Sequence, residues 1–323
     1  MTAGSEQDLR WDAARTAAHL AVPGPGADKY LRGVLGLRTG SAAYPGAAVL
    51  GAEAAWRTGL GLLRYVPPVG DPEPELGLPT PAAAVLAARP ETVFASDAEG
   101  RLRCDAWLVG SGTDPARRSF AEGEAIRRLL ADDAPVVLDA GALGLLVGPE
   151  AERPRAPTVA TPHRGEFLAL WRAAGLGERP AGWPAGRGEA PDEAALRDAA
   201  TALAGSLGAT VLLKGSLTIA ATPGGFHAAC GPATPWLAAA GTGDVLAGIL
   251  GALVATHAAA VRADPELLGP LGASAAVLHD AAARLAAADD GAHPGRPITA
   301  LDVAHALPAT VERLLGVRTA SVG

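Results

Sequence analysis

A short glycine-rich segment in the C-terminal third of the chain has the residue types needed to bind a phosphate. Gly241, Thr242 and Gly243 precede Asp244, and the apolar run that follows predicts a helix. Small residues leave backbone N–H groups open, and a helix start carries partial positive charge. Asp244 would lie in the first turn, where its carboxylate can accept a proton from a hydroxyl that attacks a phosphate. We predict that these four residues form the catalytic group, although they alone leave open a capping Asp beside turn glycines.

One of the two lysines in the chain lies in a second segment with binding potential. Lys214 follows a strand-like run and precedes Gly215, Ser216, Leu217 and Thr218, so the pattern predicts strand, sharp turn, strand. Nucleotides often bind at such a sheet edge, although a solvated lysine at a strand end is the alternative. The chain has no Walker A sequence, and no G-x-G-x-x-G pattern follows its first strand. P-loop enzymes are therefore excluded, and dinucleotide dehydrogenases are disfavoured.

The composition indicates a large buried core and no nucleic-acid groove. Hydrophobic residues make up 49% of the 323 residues and aromatic residues only 4%, so Ala, Val and Leu must form most of the core. The net charge of −7 argues against nucleic acid as a partner. Cys104 and Cys230 lack metal-ligand spacing, and no apolar run is long enough to span a bilayer. Because the first residues lack a secretory signal, we expect a soluble, cytoplasmic protein.

Short β-like runs alternate with longer helical patterns, which is typical of a mostly parallel sheet covered on both faces. We expect residues 1–25 to form a loosely ordered tail and residues 26–323 to form one α/β domain. The two expected loops are Pro67–Pro81 and Gly175–Pro191. The predicted strands are Gly33–Leu37, Leu62–Val66, Ala106–Val109, Val136–Asp139, Thr158–Thr161 and Thr210–Lys214, with a hairpin of Leu217–Thr222 and Gly225–Ala229. The predicted helices are Ala47–Thr58, Phe120–Ala131, Glu166–Ala173, Asp192–Leu207 and Asp244–Ala260, with further helix to the end.

Matches in chain order, from about Asp28 to Ala255, resemble the ribokinase superfamily and, within it, the NAD(P)H-hydrate dehydratases. The matching segments are Asp28-Lys29-Tyr30, Gly40 to Ala48, Arg57 to Leu62, Leu108-Val109-Gly110-Ser111-Gly112, Val137-Leu138-Asp139-Ala140, and Thr161-Pro162-His163-Arg164-Gly165-Glu166. The last of these reads TPNxxE in related vitamin kinases, so His163 favours the dehydratases. The chain departs from the DADALN of many relatives at Gly141 and Gly144. The resemblance implies a ribokinase-like three-layer α/β/α sandwich with a mostly parallel central sheet.

The resemblance also implies an activity: nucleotide-dependent dehydration of the S epimer of hydrated NADH and NADPH, with ADP giving AMP and phosphate. ADP (or ATP) would bind at Lys214 to Thr218 and Gly243, and the hydrate would contact Ala47, Gly112, His163 and Asp244. Mg²⁺ is expected, with Glu166 either orienting His163 or contacting a metal-bound water. A homotetramer and a separate hydrate epimerase are implied as well. Two alternatives remain open: a vitamin-precursor kinase of the same fold, and a catalytically silent nucleotide-binding protein.

Overall fold

The computed structural model describes residues 10–96, 102–148, 151–183 and 192–320. Nine strands are found in these residues: β1 (Val34–Arg38), β2 (Leu62–Tyr65), β3 (Val93–Phe94), β4 (Ala106–Val109), β5 (Val136–Leu138), β6 (Thr158–Ala160), β7 (Thr210–Leu213), β8 (Thr218–Ala221) and β9 (His227–Cys230). They form one sheet in the order β3-β2-β1-β4-β5-β6-β7-β8-β9. All neighbours from β3 to β7 are parallel, whereas β8 pairs antiparallel with both β7 and β9. The mostly parallel sheet and the hairpin are as predicted.

Helices cover both faces of this sheet. In the described residues they are α1 (Ala13–Ala18), α2 (Pro45–Arg57), α3 (Pro81–Ala88), α4 (Phe120–Leu130), α5 (Arg164–Ala173), α6 (Glu193–Leu207), α7 (Thr242–Thr256), α8 (Ala258–Ala263), α9 (Leu268–Ala287) and α10 (Ala300–Ala320). Helices α2, α7, α9 and α10 contribute to the core on one face, and α4, α5 and α6 to the core on the other. The three-layer sandwich is therefore confirmed.

Side-chain alternation along the strands explains why both faces are covered. In β4, Ala106 and Leu108 belong to the core under α2 and α7, whereas Trp107 and Val109 belong to the opposite core. All four are buried. A strand that is apolar on both faces needs a layer of helices on each side, because successive side chains point in opposite directions.

The parallel arrangement brings several strand ends to one edge of the sheet. Ser111 lies just beyond β4, Asp139 follows β5, Thr161 follows β6 and Lys214 follows β7. Backbone pairing continues past two of these ends, since the Lys214 N–H donates to the carbonyl of Pro162 at 2.8 Å. Ligands of open α/β sheets bind beyond such carboxyl ends, so this edge is where a site is expected.

The first residues differ from the sequence-based expectation. Within the predicted tail, α1 packs against α9 and α10, and Trp11 and Leu20 belong to the core. The Trp11 indole N–H donates to Ser274 Oγ at 3.0 Å. The prediction of a loose tail is therefore wrong for residues 10–20, because these apolar side chains are buried by the C-terminal helices; residues 1–9 lie outside the described part of the chain.

The other differences are small. Two short elements, α3 and β3, were not predicted, and the predicted helix Asp244–Ala260 is divided between α7 and α8. The predicted loop Gly175–Pro191 lies partly outside the described residues, which end at Trp183 and resume at Asp192. No helix of the described residues combines the length and apolarity needed to cross a bilayer.

Candidate active site

The N-cap residue of α7 is a glycine in a left-handed conformation. Gly241 has φ +86°, which strains any residue with a side chain, and a Cβ here would also lie 2.5 Å from Leu50 Cδ1. The Thr242 hydroxyl lies 2.9 Å from each of the carbonyl oxygens of Leu237 and Ala239, which ties the preceding loop to the helix. Because the first-turn amides of a helix lack intrahelical acceptors, this end has N–H groups available for an anion.

Asp244 lies in that first turn and is half-buried. Burial and the nearby negative charge of Asp139 raise the pKa of Asp244 to about 6, although the Lys214 ammonium opposes the shift. The carboxylate is therefore ionised at neutral pH and yet basic enough to take a proton. A general base works best with a pKa near the operating pH, so the environment of Asp244 suits proton abstraction from a hydroxyl.

A buried carboxylate, Asp139, joins three strand ends. It is 2% exposed and accepts hydrogen bonds from Ser111 Oγ (2.9 Å), from Thr161 Oγ1 (2.6 Å) and from Lys214 Nζ (2.7 Å). Burial opposes its ionisation, but the Lys214 ammonium and these hydrogen bonds hold the pKa of Asp139 below its usual value. In turn, burial would lower the pKa of Lys214, but Asp139, Glu166 and Asp244 raise it. The ion pair fixes a permanently charged lysine beside Asp244.

A cavity of about 490 Å³ opens between the α7 N-terminus and the β7–β8 turn. Of the predicted nucleotide residues, Lys214, Gly215, Ser216, Thr218 and Gly243 line it. A Cβ at Gly243 would lie only 3.7 Å from Lys214 Nζ, so the lysine and the α7 N-terminus face the same space. The volume is in the range of pockets that bind small molecules.

One predicted nucleotide residue does not line this cavity. The side chain of Leu217 packs against the core on the opposite face of the sheet. The Thr218 hydroxyl donates to the Gly215 carbonyl at 3.1 Å, so it closes the turn. The turn therefore offers the cavity mainly the Lys214 ammonium, the small residues Gly215 and Ser216, and backbone groups.

Two of the predicted substrate residues touch each other. Gly112 has φ +67°, and a Cβ on it would lie 2.3 Å from the Ala47 Cβ. Ala47 is 7% exposed in the first turn of α2, and Gly112 follows β4 next to Ser111. Any side chain at Gly112 would push α2 away from the sheet. Their small size thus keeps the α2 N-terminus close to the strand ends that carry the Asp139 network.

His163 caps α5, and its ring is 61% exposed. Nδ1 accepts the N–H groups of Gly165 (3.0 Å) and Glu166 (3.2 Å), so the ring proton of the neutral form is on Nε2. The Glu166 carboxylate accepts the His163 backbone N–H at 2.8 Å, and its other oxygen lies 3.6 Å from Nε2. Glu166 therefore contacts both the backbone and the ring of His163.

The carboxylates of this region do not form a metal cage. Among the described residues there is no group of three or more His, Cys, Asp or Glu side chains that could hold a metal ion. Asp139 already accepts three hydrogen bonds, which leaves Asp244 and Glu166 as oxygen donors. Mg²⁺ commonly binds through one or two carboxylates together with phosphates and water. The site therefore fits a Mg²⁺ carried by the phosphates of a nucleotide.

Sequence reasoning gave no role to Asp139, although it named the strand end that carries it. A buried carboxylate directly after a strand is the signal that could have found it. At one departure from the relatives, a Cβ on Gly141 would lie 2.3 Å from the Thr113 carbonyl oxygen, so this backbone leaves no room for the acidic residue. At Gly144 no atom lies within 4 Å of such a Cβ, so a side chain would fit there.

Comparison with known proteins identifies the group to which this arrangement belongs. Residues 35–305 match the family model described as NAD(P)H-hydrate dehydratase. The bifunctional NAD(P)H-hydrate repair enzyme of Mycobacterium tuberculosis is 39% identical over 77% of this chain and 46% of its own length. The ADP-dependent (S)-NAD(P)H-hydrate dehydratase of Xanthomonas campestris is 34% identical over 75% of this chain and 79% of its own.

The solved structures agree with these relatives. The ADP/ATP-dependent NAD(P)H-hydrate dehydratase of Bacillus subtilis, co-crystallised with ATP and Mg²⁺, is 26% identical. It superposes with a TM-score of 0.72 over 96% of this chain and 100% of that one. The chain spans about half the length of the first curated relatives that it matches. The chain belongs to the NAD(P)H-hydrate dehydratase family.

Proposed function

We propose that the chain dehydrates the S epimer of hydrated NADH and NADPH, with ADP as phosphoryl donor and AMP and phosphate as further products. The observation that carries this proposal is the position of Asp244. A half-buried carboxylate with a pKa of about 6 lies at a helix N-terminus, beside a fixed lysine and a nucleotide-sized cavity. The names of the relatives from X. campestris and B. subtilis support ADP and ATP as donors.

In the first proposed step, the hydroxyl on the reduced nicotinamide ring attacks the terminal phosphorus of ADP. Asp244 takes the hydroxyl proton, the new O–P bond forms, and the bond to the AMP oxygen breaks. The α7 amides at Thr242 and Gly243 and the Lys214 ammonium stabilise the negative charge on the transferring group. Asp244 and Glu166 are the carboxylates that would contact a Mg²⁺ bound to the nucleotide phosphates, and the ion would supply further charge neutralisation.

In the second step, phosphate leaves with the electrons of the ring C–O bond. The ring nitrogen stabilises the cation that develops, and loss of a proton from the neighbouring carbon restores the double bond. Hydroxide is a poor leaving group at neutral pH, whereas a phosphate ester leaves readily, which is why a kinase site suits a dehydration. We propose that His163 Nε2–H and the small residues Ala47 and Gly112 contact the nicotinamide end of the substrate; the Nδ1 contact that leaves the proton on Nε2 and the close approach of Ala47 and Gly112 support this.

Several finer features belong to the same proposal. We place the protein in the cytoplasm, with its substrate, and we propose a homotetramer. The first curated relatives are bifunctional by name and about twice as long as their match to this chain. An epimerase activity, in a separate protein or outside these 323 residues, would supply the S epimer.

The test is recovery of NADH absorbance from purified hydrated NADH, with Mg²⁺ and with ADP or ATP supplied separately. Recovery should require a nucleotide, and Asp244→Asn should slow it by about 10²- to 10⁴-fold because the general base is lost. Asp192→Asn is the matched control, since Asp192 caps α6 at a helix N-terminus that does not line the cavity. Absence of recovery with either nucleotide, from folded wild-type protein that binds ADP, would contradict the proposal and direct attention to vitamin-precursor hydroxyls.

A further inference from the structure

A buried histidine on α9 takes no part in the chemistry described so far. His279 is 7% exposed, and it lines the same cavity as Lys214 and Gly243. Its Nε2 is buried and makes no hydrogen bond of normal geometry with the described residues, although the Thr242 backbone lies close enough to the ring to oppose the lowering of its pKa. A buried polar atom without a partner costs stability, so a histidine is a poor choice here for packing alone. The unpaired nitrogen points to a partner that the cavity admits.

The partner is an uncharged group. Burial lowers the pKa of His279 to about 4, so the ring is neutral at physiological pH. A neutral imidazole offers one N–H donor and one acceptor, and it carries no charge to attract a phosphate. The phosphates are already matched by the Lys214 ammonium and by the α7 N-terminus. What remains of a nucleotide, once its phosphates are placed, is the ribose and the base.

The surroundings of His279 favour the base over the ribose. Pro235, Leu237, Leu246 and Ala276 line the cavity together with it. These apolar side chains suit a flat aromatic ring, and the few polar groups of the same lining, His279 with Thr234 and Ser216, would fix the orientation of the ligand. A ribose, with its hydroxyl groups, would leave several polar atoms unpaired against these side chains.

Building on the proposed use of ADP, we propose that His279 Nε2 hydrogen-bonds the purine base of the nucleotide and so acts as a specificity-determining residue for the donor. Nε2 makes no hydrogen bond of normal geometry within the described residues, and adenine would supply one. On this basis His279 contributes to the affinity for the nucleoside part of ADP. It contributes nothing to the binding of the phosphates.

The test compares ADP with inorganic pyrophosphate, which has the phosphates but no base. Dissociation constants are measured by calorimetry for the wild type, His279→Leu and His279→Gln, all with Mg²⁺. His279→Leu should weaken ADP binding by about 10-fold, the loss expected for one buried hydrogen bond, and should leave pyrophosphate binding unchanged. His279→Gln, which keeps a donor and an acceptor, should recover part of the ADP affinity. The unfolding midpoint of His279→Leu should not fall, because an unpaired buried nitrogen is replaced by an apolar group.

His257→Leu is the matched control. His257 is also a partly buried histidine, but it lies at the other end of α7, about 20 Å along the helix from Thr242. Its ring nitrogen is 2.9 Å from the Leu253 carbonyl oxygen, so its hydrogen bond is made within the protein. His257→Leu should leave ADP affinity unchanged.

Two results would overturn the inference. An equal loss of ADP and pyrophosphate affinity in His279→Leu would mean that the ring supports the α7 N-terminus and does not contact the base. Unchanged ADP affinity in His279→Leu would exclude any contact. Failure of the wild-type protein to bind ADP at all would contradict both this inference and the proposed function, whereas the first two results leave the proposed function intact.

Discussion

At the scale of single residues, the proposed chemistry depends on the interactions among three charged side chains, Asp139, Lys214 and Asp244. The carboxylates of Asp139 and Asp244 repel each other, and the Lys214 ammonium attracts both. Within the described part of the chain, Asp139 alone forms an ion pair with this lysine, at 2.7 Å. The partners of Asp139 therefore keep it ionised, whereas Asp244 has the higher pKa and is the more basic of the two. This division of roles between two acidic groups is set by burial and hydrogen bonds, since the residue type is the same.

The pH dependence of turnover follows from this arrangement. The proposed general base, Asp244, accepts a proton only when it is ionised, so kcat/KM for the proposed hydrate substrate should fall below about pH 6. Asp139→Asn removes the negative charge that raises the pKa of Asp244, so the acidic limb should move to lower pH. Ser111→Ala removes a hydrogen bond to Asp139 but no charge, and it serves as the control with an unshifted limb. An unchanged limb in Asp139→Asn would mean that another group titrates.

The same pKa has a consequence for stability. The folded protein binds a proton at Asp244 more tightly than the unfolded chain does, since its pKa rises from 3.8 to about 6. Ionisation of Asp244 therefore destabilises the fold progressively between about pH 4 and 6, and the penalty is complete above pH 6. Asp244→Asn should raise the midpoint of urea unfolding at pH 7 and give no gain near pH 4. A lower midpoint at pH 7 would show that the carboxylate stabilises α7.

At the scale of elements, the site depends on two helices that pack closely on the same face of the sheet. A Cβ on Gly248 of α7 would lie 2.4 Å from the carbonyl oxygen of Gly51 of α2. Both helix N-termini carry site residues, Ala47 on α2 and Asp244 on α7. The distance between the proposed substrate residue Ala47 and the proposed base Asp244 is thus set by a contact about one helical turn away from each.

Gly248→Ala should therefore affect stability and turnover together. The added methyl group meets backbone, which cannot move aside, so we expect a loss of about 1–3 kcal/mol in the free energy of unfolding. We also expect a lower kcat, because the two N-termini are pushed apart. Gly205→Ala on α6 is the control, since its Cβ meets nothing within 4 Å. That change should stabilise the protein by about 0.5–1 kcal/mol, as alanine does in an exposed helix. Equal effects of both changes in urea unfolding would exclude the close contact.

Most elements could be predicted because their signals are local. The strand Ala106–Val109 is bounded as predicted, since an apolar run between polar residues specifies it directly. No glycine or proline in the sequence marks the break between α7 and α8. There the Thr256 hydroxyl and the His257 ring both lie at hydrogen-bonding distance from the Leu253 carbonyl oxygen. Such side-chain competition for a backbone acceptor cannot be read from periodicity.

The candidate site, too, has features that local sequence predicts and features that it does not. Glycines at Gly241 and Gly112 are visible in the sequence, and the structure gives both positive φ. The Asp139 network joins residues that lie up to 103 positions apart, from Ser111 to Lys214, and no local pattern contains it. The roles assigned to the site residues by resemblance stay predictions. His163, Lys214, Thr242 and Gly243 are observed around one cavity, whereas Ala47, Gly112 and Asp244 are not part of its lining.

At the scale of the whole molecule, the two ends of the described chain meet. Helix α1 packs on α9 and α10, and the Trp11 backbone N–H donates to the Ala229 carbonyl at 3.0 Å beside the edge strand β9. The N-terminal segment therefore closes one end of the core. We propose that it belongs with residues 26–323 to a single domain.

This contact yields a prediction for the global stability of the protein. Trp11 is 9% exposed, and its indole N–H is paired with Ser274 of α9, 263 residues away in the chain. Trp11→Ala should cost about 3–5 kcal/mol of unfolding free energy, because it leaves a large cavity against α9 and removes the partner of a buried hydroxyl. Val22→Ala, in the same segment but 61% exposed, should change it by less than about 0.5 kcal/mol. If urea unfolding of the two variants is the same, residues 10–22 are a dispensable tail after all; a large difference makes them part of the cooperative core.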